Sequence, residues 1–222
     1  MKLFGRNKSV AVDAVTFDTN GWRRRDQSAT HRRWKSKNGT NVVLRYHQPT
    51  PALPFDFRFI KNARAYYDDV AGQRAGAMLS LDFVKARGIP SVRGVFKYRC
   101  PKGTTDGKIF AGMILLPYRD FAFQIDLESP VCLDNNPREA AAIANGEGPA
   151  GNQADPFFVR NADELFAMMS DTCVKPIPAD HERYDAAFPD HPLTRLRADQ
   201  LRILKSLSLH DAIKDALPYY CQ

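Results

Sequence analysis

The sequence predicts an α+β protein in which an antiparallel β-sheet is flanked by helices. Three observations lead there. Strand-like segments at 78–85, 91–98, 108–116 and 121–127 follow one another through short turns, and strands joined so closely must be antiparallel neighbours. Helical periodicity is kept apart from that run, at 57–70 before it and at 138–144, 162–170 and 193–207 after it. Segregated runs of strands and helices pack as a sheet with helices on its faces, not as a parallel αβ alternation.

Taken in order, Val10 to Phe17 is β-rich and reads as a first strand, followed by turn chemistry at Thr19-Asn20-Gly21. The basic stretch Trp22 to Lys37 suits one or two short strands. Asn38-Gly39 is a strong hairpin signal and leads into Asn41 to His47, so Trp34 and Val43 fall on opposite arms of one hairpin. Prolines at 49, 51 and 54 break the chain. Asp56 is placed to cap a helix over 57–70, with Phe59, Ile60, Ala63, Tyr66, Tyr67 and Val70 on its apolar face and Gly72 and Gly76 beyond its end. The four strands come next, with Pro101 to Gly107 as a polar loop. A short helix is expected at 138–144, loop at 146–155, another short helix at 162–170 and proline-rich irregular chain at 177–192. The clearest late helix is 193–207, with Leu193, Leu196, Ile203, Leu204 and Leu207 on one side; 211–217 adds a last turn or two. Such a stripe must be covered. The sheet offers Phe83, Val95, Ile114 and Phe123, and Asp190 is placed to cap the helix.

A chain of 222 residues can bury roughly 70% of its unfolded surface, so a single domain is expected. Its parts are a basic N-terminal hairpin region (1–50), a helix plus antiparallel sheet (51–145), an irregular loop region (146–192) and C-terminal helices (193–222). The net charge of +7 is uneven: residues 1–50 hold 11 Lys+Arg against 3 Asp+Glu, and the other 172 hold 21 against 22. The protein is therefore a near-neutral body with a basic N-terminal quarter. No apolar run approaches the length of a membrane span, and Asp13 cuts the N-terminal apolar run too early for a signal peptide. Cys100, Cys132, Cys173 and Cys221 are scattered without a Cys-x-x-Cys pair, which argues against structural zinc and for free thiols. A cytoplasmic location is the expectation.

No Gly-x-Ser-x-Gly, phosphate-binding loop, Gly-x-Gly-x-x-Gly or His-Glu-x-x-His is present, so the expectation leans away from an enzyme, and neither cofactor nor metal is implied. Three places concentrate polar chemistry. Asp180 to Asp185 with Asp190-His191 brings His181, Glu182, Asp185 and His191 into a dozen residues, where they suit a divalent metal or acid–base work. The competing reading is architectural, with Tyr184 and Phe188 pinning a strap to the body. Arg138-Glu139 opens a helix, and an Arg at a cleft holds carboxylate or phosphate as a fork. Finally, Trp22, Arg23, Arg24, Arg25, Arg32, Arg33, Trp34, Lys35 and Lys37 mix cations with the chain's two tryptophans. That mixture suits single-stranded nucleic acid, anionic lipid or an acidic protein surface. It also suits a solvated hairpin with tryptophans inward and arginines outward.

The stretches "YYDDVAGQRAGAMLSLDFVKARGIPSVRGVFKY" (66–98), "LLPYRDFAFQIDLESP" (115–130), "REA" (138–140) and "ERYDAAFPDHPLTRLRADQLRILKSLSL" (182–209) together resemble a family of uncharacterised bacterial cytoplasmic proteins. That resemblance spans most of 20–210 and carries over no catalytic residue. More distantly, the element order resembles the PsbP, DcrB and Mog-type (Ran-binding) fold, an antiparallel sheet between helices whose members bind other molecules or serve as accessory proteins. It implies a non-enzymatic accessory protein, chaperone- or immunity-like, whose partner is another protein. The alternatives are a metal-assisted or acid–base enzyme using 180–191, and a protein that binds nucleic acid or anionic lipid through 22–37.

Overall fold

The computed structural model describes residues 11–99, 108–131, 137–147 and 174–219. The four cysteines, the loop expected at 101–107 and the helix expected at 162–170 lie outside the described residues. Seven strands form one antiparallel sheet: β2 (Trp22–Gln27), β3 (His31–Ser36), β4 (Asn41–His47), β5 (Ala77–Ala86), β6 (Ile89–Arg99), β7 (Lys108–Pro117) and β8 (Ala122–Pro130). Their spatial order is β2-β3-β4-β8-β7-β6-β5. Two meanders, β2–β4 and β5–β8, thus meet where β4 pairs with β8. The tight turns are set by local chemistry. Gly39 adopts φ +86° between β3 and β4, and Arg87-Gly88 adopts φ +52° and +87° between β5 and β6, the two consecutive positive values that match strand twist in a short hairpin.

Helices flank both faces of the sheet. On one face lies α3 (Pro192–Ser206), preceded in the chain by the short helix α2 (Pro137–Ala142). The core there joins Leu193, Leu196, Ile203 and Leu207, all with no exposed surface, to Trp34, Val42, Leu44, Val95, Ile114 and Phe123. A small two-stranded ribbon, β1 (Val15–Thr16) with β9 (Ser208–Leu209), ties the N-terminal segment to the end of α3. On the opposite face α1 (Ile60–Gly72) packs against β5, and Phe55, Ala63, Leu81, Val92, Met113 and Leu115 fill the layer between.

Cover on this second face stops part way across. Beyond β7 the same side of the sheet carries Gln124, Asp126 and Glu128 on β8, Val43, Arg45 and His47 on β4, and Arg33 and Lys35 on β3, as the strand registers dictate. None of these residues is buried. The α1 side is thus apolar under the helix and charged beside it.

Several expectations need correction. The strand expected over Val10–Phe17 is interrupted: among the described residues a 3-10 turn at Val12–Ala14 precedes a two-residue strand, Val15–Thr16. Asp56 does not cap α1, which begins at Ile60; its carboxylate accepts from the Arg58 N–H and pairs with the Arg58 guanidinium one turn earlier, and Phe59 is 55% exposed. Phe83 packs on the α1 side against Phe57, ring centroids 4.9 Å apart, because strand alternation turns it away from α3. Asp190 does not cap α3; His191 does, its Nδ1 accepting from the Leu193 N–H at 3.2 Å. Gln200 takes a fully buried place on the α3 stripe, whereas Leu204 is half-buried at its margin.

Candidate functional site

The strap at 177–191 folds as two 3-10 turns, Pro178–Asp180 and Glu182–Tyr184, laid over the start of α3. Its polar groups converge on Arg138 from α2. The Arg138 side chain is 1% exposed and donates to the Ala179 carbonyl, the His181 carbonyl (2.8 Å), the Asp185 carboxylate (2.8 Å) and the Thr194 hydroxyl (2.7 Å). Asp185 also accepts from Arg197 at 3.0 Å, and Arg197 donates to the Asp180 carbonyl at 2.7 Å. A second buried pair lies beneath: Lys97 on β6, also 1% exposed, donates to Asp180 at 2.8 Å, and Asp180 further accepts from the Ile177 N–H. Buried charges persist only when paired and hydrogen-bonded, and here each holds a different piece of chain to its neighbour. Tyr184 and Phe188 pack with Ala142 and Ala179.

A cleft of ≈ 480 Å³ opens between this strap and β5–β6. Asp82, Arg93, His181, Glu182, Asp185 and Arg197 are among its walls. Arg93 donates to Asp82 at 2.8 Å, and Arg138 is not among the lining residues. Glu139 accepts from Lys108 at 2.8 Å. His191 faces Phe110, with ring centroids 5.6 Å apart. Burial, aided by the Arg138 charge, pushes its imidazole down to about 4, so it is neutral at pH 7 and its lone pair serves the helix cap. Among the described residues no group of three or more His, Cys, Asp or Glu side chains is placed to hold a metal ion.

The β2–β3 hairpin is the other concentration of charge. Trp34 is 7% exposed and packs against Phe17 at 5.3 Å, while Trp22 meets Phe17 at 6.2 Å and the Arg202 guanidinium lies 4.2 Å over its ring. Both indoles therefore sit on the α3 side. The arginines do not all point the other way. Arg24 pairs across from Trp34 and shares its side; Arg32, also on that side, forks onto Asp13 with two 2.7 Å bonds. Arg23, Arg33 and Lys35 belong to the open face. Arg25 falls at a bulge between Arg24 and Asp26, and Lys37 lies in the β3–β4 turn. Asp26 binds His31 at 2.9 Å, and that bond holds its carboxyl below the ordinary carboxylate range. β2 is the terminal strand of the sheet, so among the described residues its outer edge has no neighbour.

Two residues of the open face escaped the sequence reading. Arg45 and His47 sit on β4 on the same side as Arg33. The signal for them was available: alternation along 41–47 puts Val43, Arg45 and His47 on one face, opposite Val42, Leu44 and Tyr46. The roles of Lys97, Thr194, Arg197 and Gln200 were missed because their partners lie far off in sequence.

No protein-family model and no curated protein matches the chain. Among solved structures, the Ran-binding protein Mog1p of Saccharomyces cerevisiae is similar at 13% identity, with a TM-score of 0.40, over 72% of this chain and 87% of that one. A protein from Bacteroides thetaiotaomicron VPI-5482 is similar at 9% identity, with a TM-score of 0.35, over 59% of this chain and 43% of that one. Among the described residues no helix is long and apolar enough to cross a membrane.

Proposed function

We propose that the protein is a binding protein that takes an acidic, extended segment of another protein along β2. The observation that carries this reading is the outer edge of β2, without a neighbour among the described residues, within a hairpin, 22–37, that holds seven Lys and Arg and one Asp. A strand edge offers alternate N–H and C=O groups to any extended chain. Cations on the edge repel a second copy of the same edge and favour a partner of opposite charge. Stacking of nucleic-acid bases needs exposed aromatic faces, and Trp22 and Trp34 are both engaged on the α3 side. That placement favours the acidic protein segment over single-stranded nucleic acid.

The test is hydrogen exchange with a synthetic extended peptide of alternating Glu and Thr. Binding should slow exchange at alternate amides of Trp22–Gln27, should weaken steeply with salt, and should be lost in the Arg23→Glu/Arg25→Glu variant with the fold intact by circular dichroism. A single-stranded oligonucleotide that binds more tightly than the peptide, or a peptide that leaves the β2 amides unprotected, would overturn the proposal.

A further inference from the structure

A groove of ≈ 680 Å³ lies on the open face where the far ends of β3 and β4 meet the chain leading to Pro51. Its walls include His31, Arg33, Val43, Arg45, His47 and Pro49, and no Asp or Glu is among its lining residues. That sets it apart from the cleft beside the strap, where Asp82, Asp180, Glu182 and Asp185 stand among the arginines.

The register explains how the cations converge. Arg33 pairs with Val43 and His31 with Arg45, so Arg33 and Arg45 are diagonal neighbours on one face, within reach of long side chains. Arg45 contacts Asp126 on β8. Arg33 makes no ion pair among the described residues and is exposed. Burial, and after it repulsion from the Arg33 charge, lowers the affinity of Arg45 for its proton. Next along β4 is His47, whose Nε2 is buried without a hydrogen-bond partner. Such an atom is a standing cost unless a ligand meets it. Burial, with the Arg45 charge, lowers the affinity of this imidazole for a second proton, and a neutral ring that carries its proton on Nε2 donates a hydrogen bond without adding charge.

We infer that this groove is a binding site for an organic phosphate monoester, its dianionic phosphoryl group held by Arg33, Arg45 and His47 and its carbon body resting on Val43, Pro49 and Pro51. Guanidinium forks match phosphoryl oxygens in geometry as well as charge. A dianion relieves the repulsion of the arginine pair better than a monoanion does. The apolar wall gives an organic ester a contact that inorganic phosphate lacks. The groove lies on β3 and β4 whereas the peptide reading uses the outer edge of β2, so amide shifts at 43–48 and exchange protection at 22–27 read the two proposals separately.

The experiment is a titration of the intact protein, followed by backbone amide NMR, with phenyl phosphate, phenyl sulfate and inorganic phosphate as probes. Phenyl phosphate should shift amides at 30–33 and 43–48 saturably, with phenyl sulfate and inorganic phosphate weaker. Arg33→Gln should weaken it by roughly tenfold or more, the loss of one charge-assisted contact. Arg23→Gln, on the same face outside the groove, should leave the affinity unchanged, which separates a site from a general field. Arg33 is exposed and makes no ion pair among the described residues, so its replacement leaves the fold in place; His47→Phe provides a second, uncharged variant that should also weaken binding. Absence of saturable shifts at millimolar probe, equal affinity for all three probes, or an equal loss in Arg23→Gln would overturn the inference.

Discussion

Replacing Arg138 by Met tests whether the polar cluster at 180–191 is architecture. Arg138 donates four hydrogen bonds into the strap and α3 from a site with 1% exposure. Methionine keeps most of the volume, so the cost is chiefly electrostatic. Two carbonyls and a threonine hydroxyl lose their donor, while Asp185 keeps Arg197 and therefore stays neutralised. Contacts to a charged donor contribute about 1.5–3 kcal/mol each but do not add, and each buried acceptor left without its donor costs about 1–3 kcal/mol. The expected loss is therefore about 3–5 kcal/mol. With a guanidinium chloride slope of about 5 kcal/mol/M for a chain of this size, the unfolding midpoint should fall by about 0.6–1 M. The thermal midpoint should fall by roughly 10 °C. The assay is equilibrium denaturation followed by circular dichroism and by tryptophan fluorescence. A midpoint lowered by less than about 0.2 M, equivalent to about 1 kcal/mol on that slope, would refute the reasoning. The strap would then be held by Tyr184, Phe188 and the Lys97–Asp180 pair, leaving Arg138 free for other chemistry.

Other outcomes follow from the same contacts. His191 has a folded pKa near 4, below its unfolded value of about 6.5. The unfolded chain therefore binds the extra proton first, and stability should fall as pH drops from about 6.5 toward 4; His191→Asn, which keeps a capping acceptor, should flatten that part of a denaturation-versus-pH curve. A Cβ at Gly112 would sit 2.8 Å from the Gln200 amide, whose nitrogen donates to the Gly94 carbonyl at 2.9 Å, so Gly112→Ala should cost about 1–3 kcal/mol by urea denaturation. Leu196→Ala, at a site with no exposure, should cost about 2–5 kcal/mol and half-buried Leu204→Ala clearly less; equal costs in calorimetry would show that α3 packs in a different rotation.

Much of the frame was legible because it rests on local signals. The hairpin at Asn38-Gly39, the four-strand meander and the α3 stripe depend on turn chemistry and side-chain period, which act over a few residues. The errors also have local causes. Asp56 and Asp190 are both good capping residues, but α1 begins at Ile60 and α3 at Pro192, and the cap position falls to the residue just before each start. For α3 that residue is His191, whose imidazole does the work of a carboxylate. Phe83 was placed on the wrong face because alternation tells which side chains share a side and not which side a given helix covers. What the sequence did not show at all is pairing at a distance: Lys97 with Asp180 and Arg138 with Asp185 join segments 83 and 47 residues apart.

Charge density alone did not separate structure from surface in this chain. Residues 180–185 and 22–37 both read as candidate sites, since both crowd ionisable groups into a short span. The structure separates them by what those groups already hold. In the strap, Asp180 and Asp185 are bound to Lys97, Arg138 and Arg197, so a ligand there would first have to break buried pairs whose loss exposes a charge to a low-dielectric interior. On the open face Arg45 contacts Asp126 and Asp26 stands across from Arg33, but Arg33 makes no ion pair among the described residues and is exposed, so an anion can reach it without breaking a buried pair. The two proposals therefore place the partner beside β2, β3 and β4 and not at 180–191. An anionic ligand that chose the strap cleft over the open face would require Arg93 or Arg197 to leave Asp82 or Asp185. Such a switch would appear as loss of amide protection at 177–191 when the anion binds. Protection there that stays constant while the open-face amides shift is the expected result.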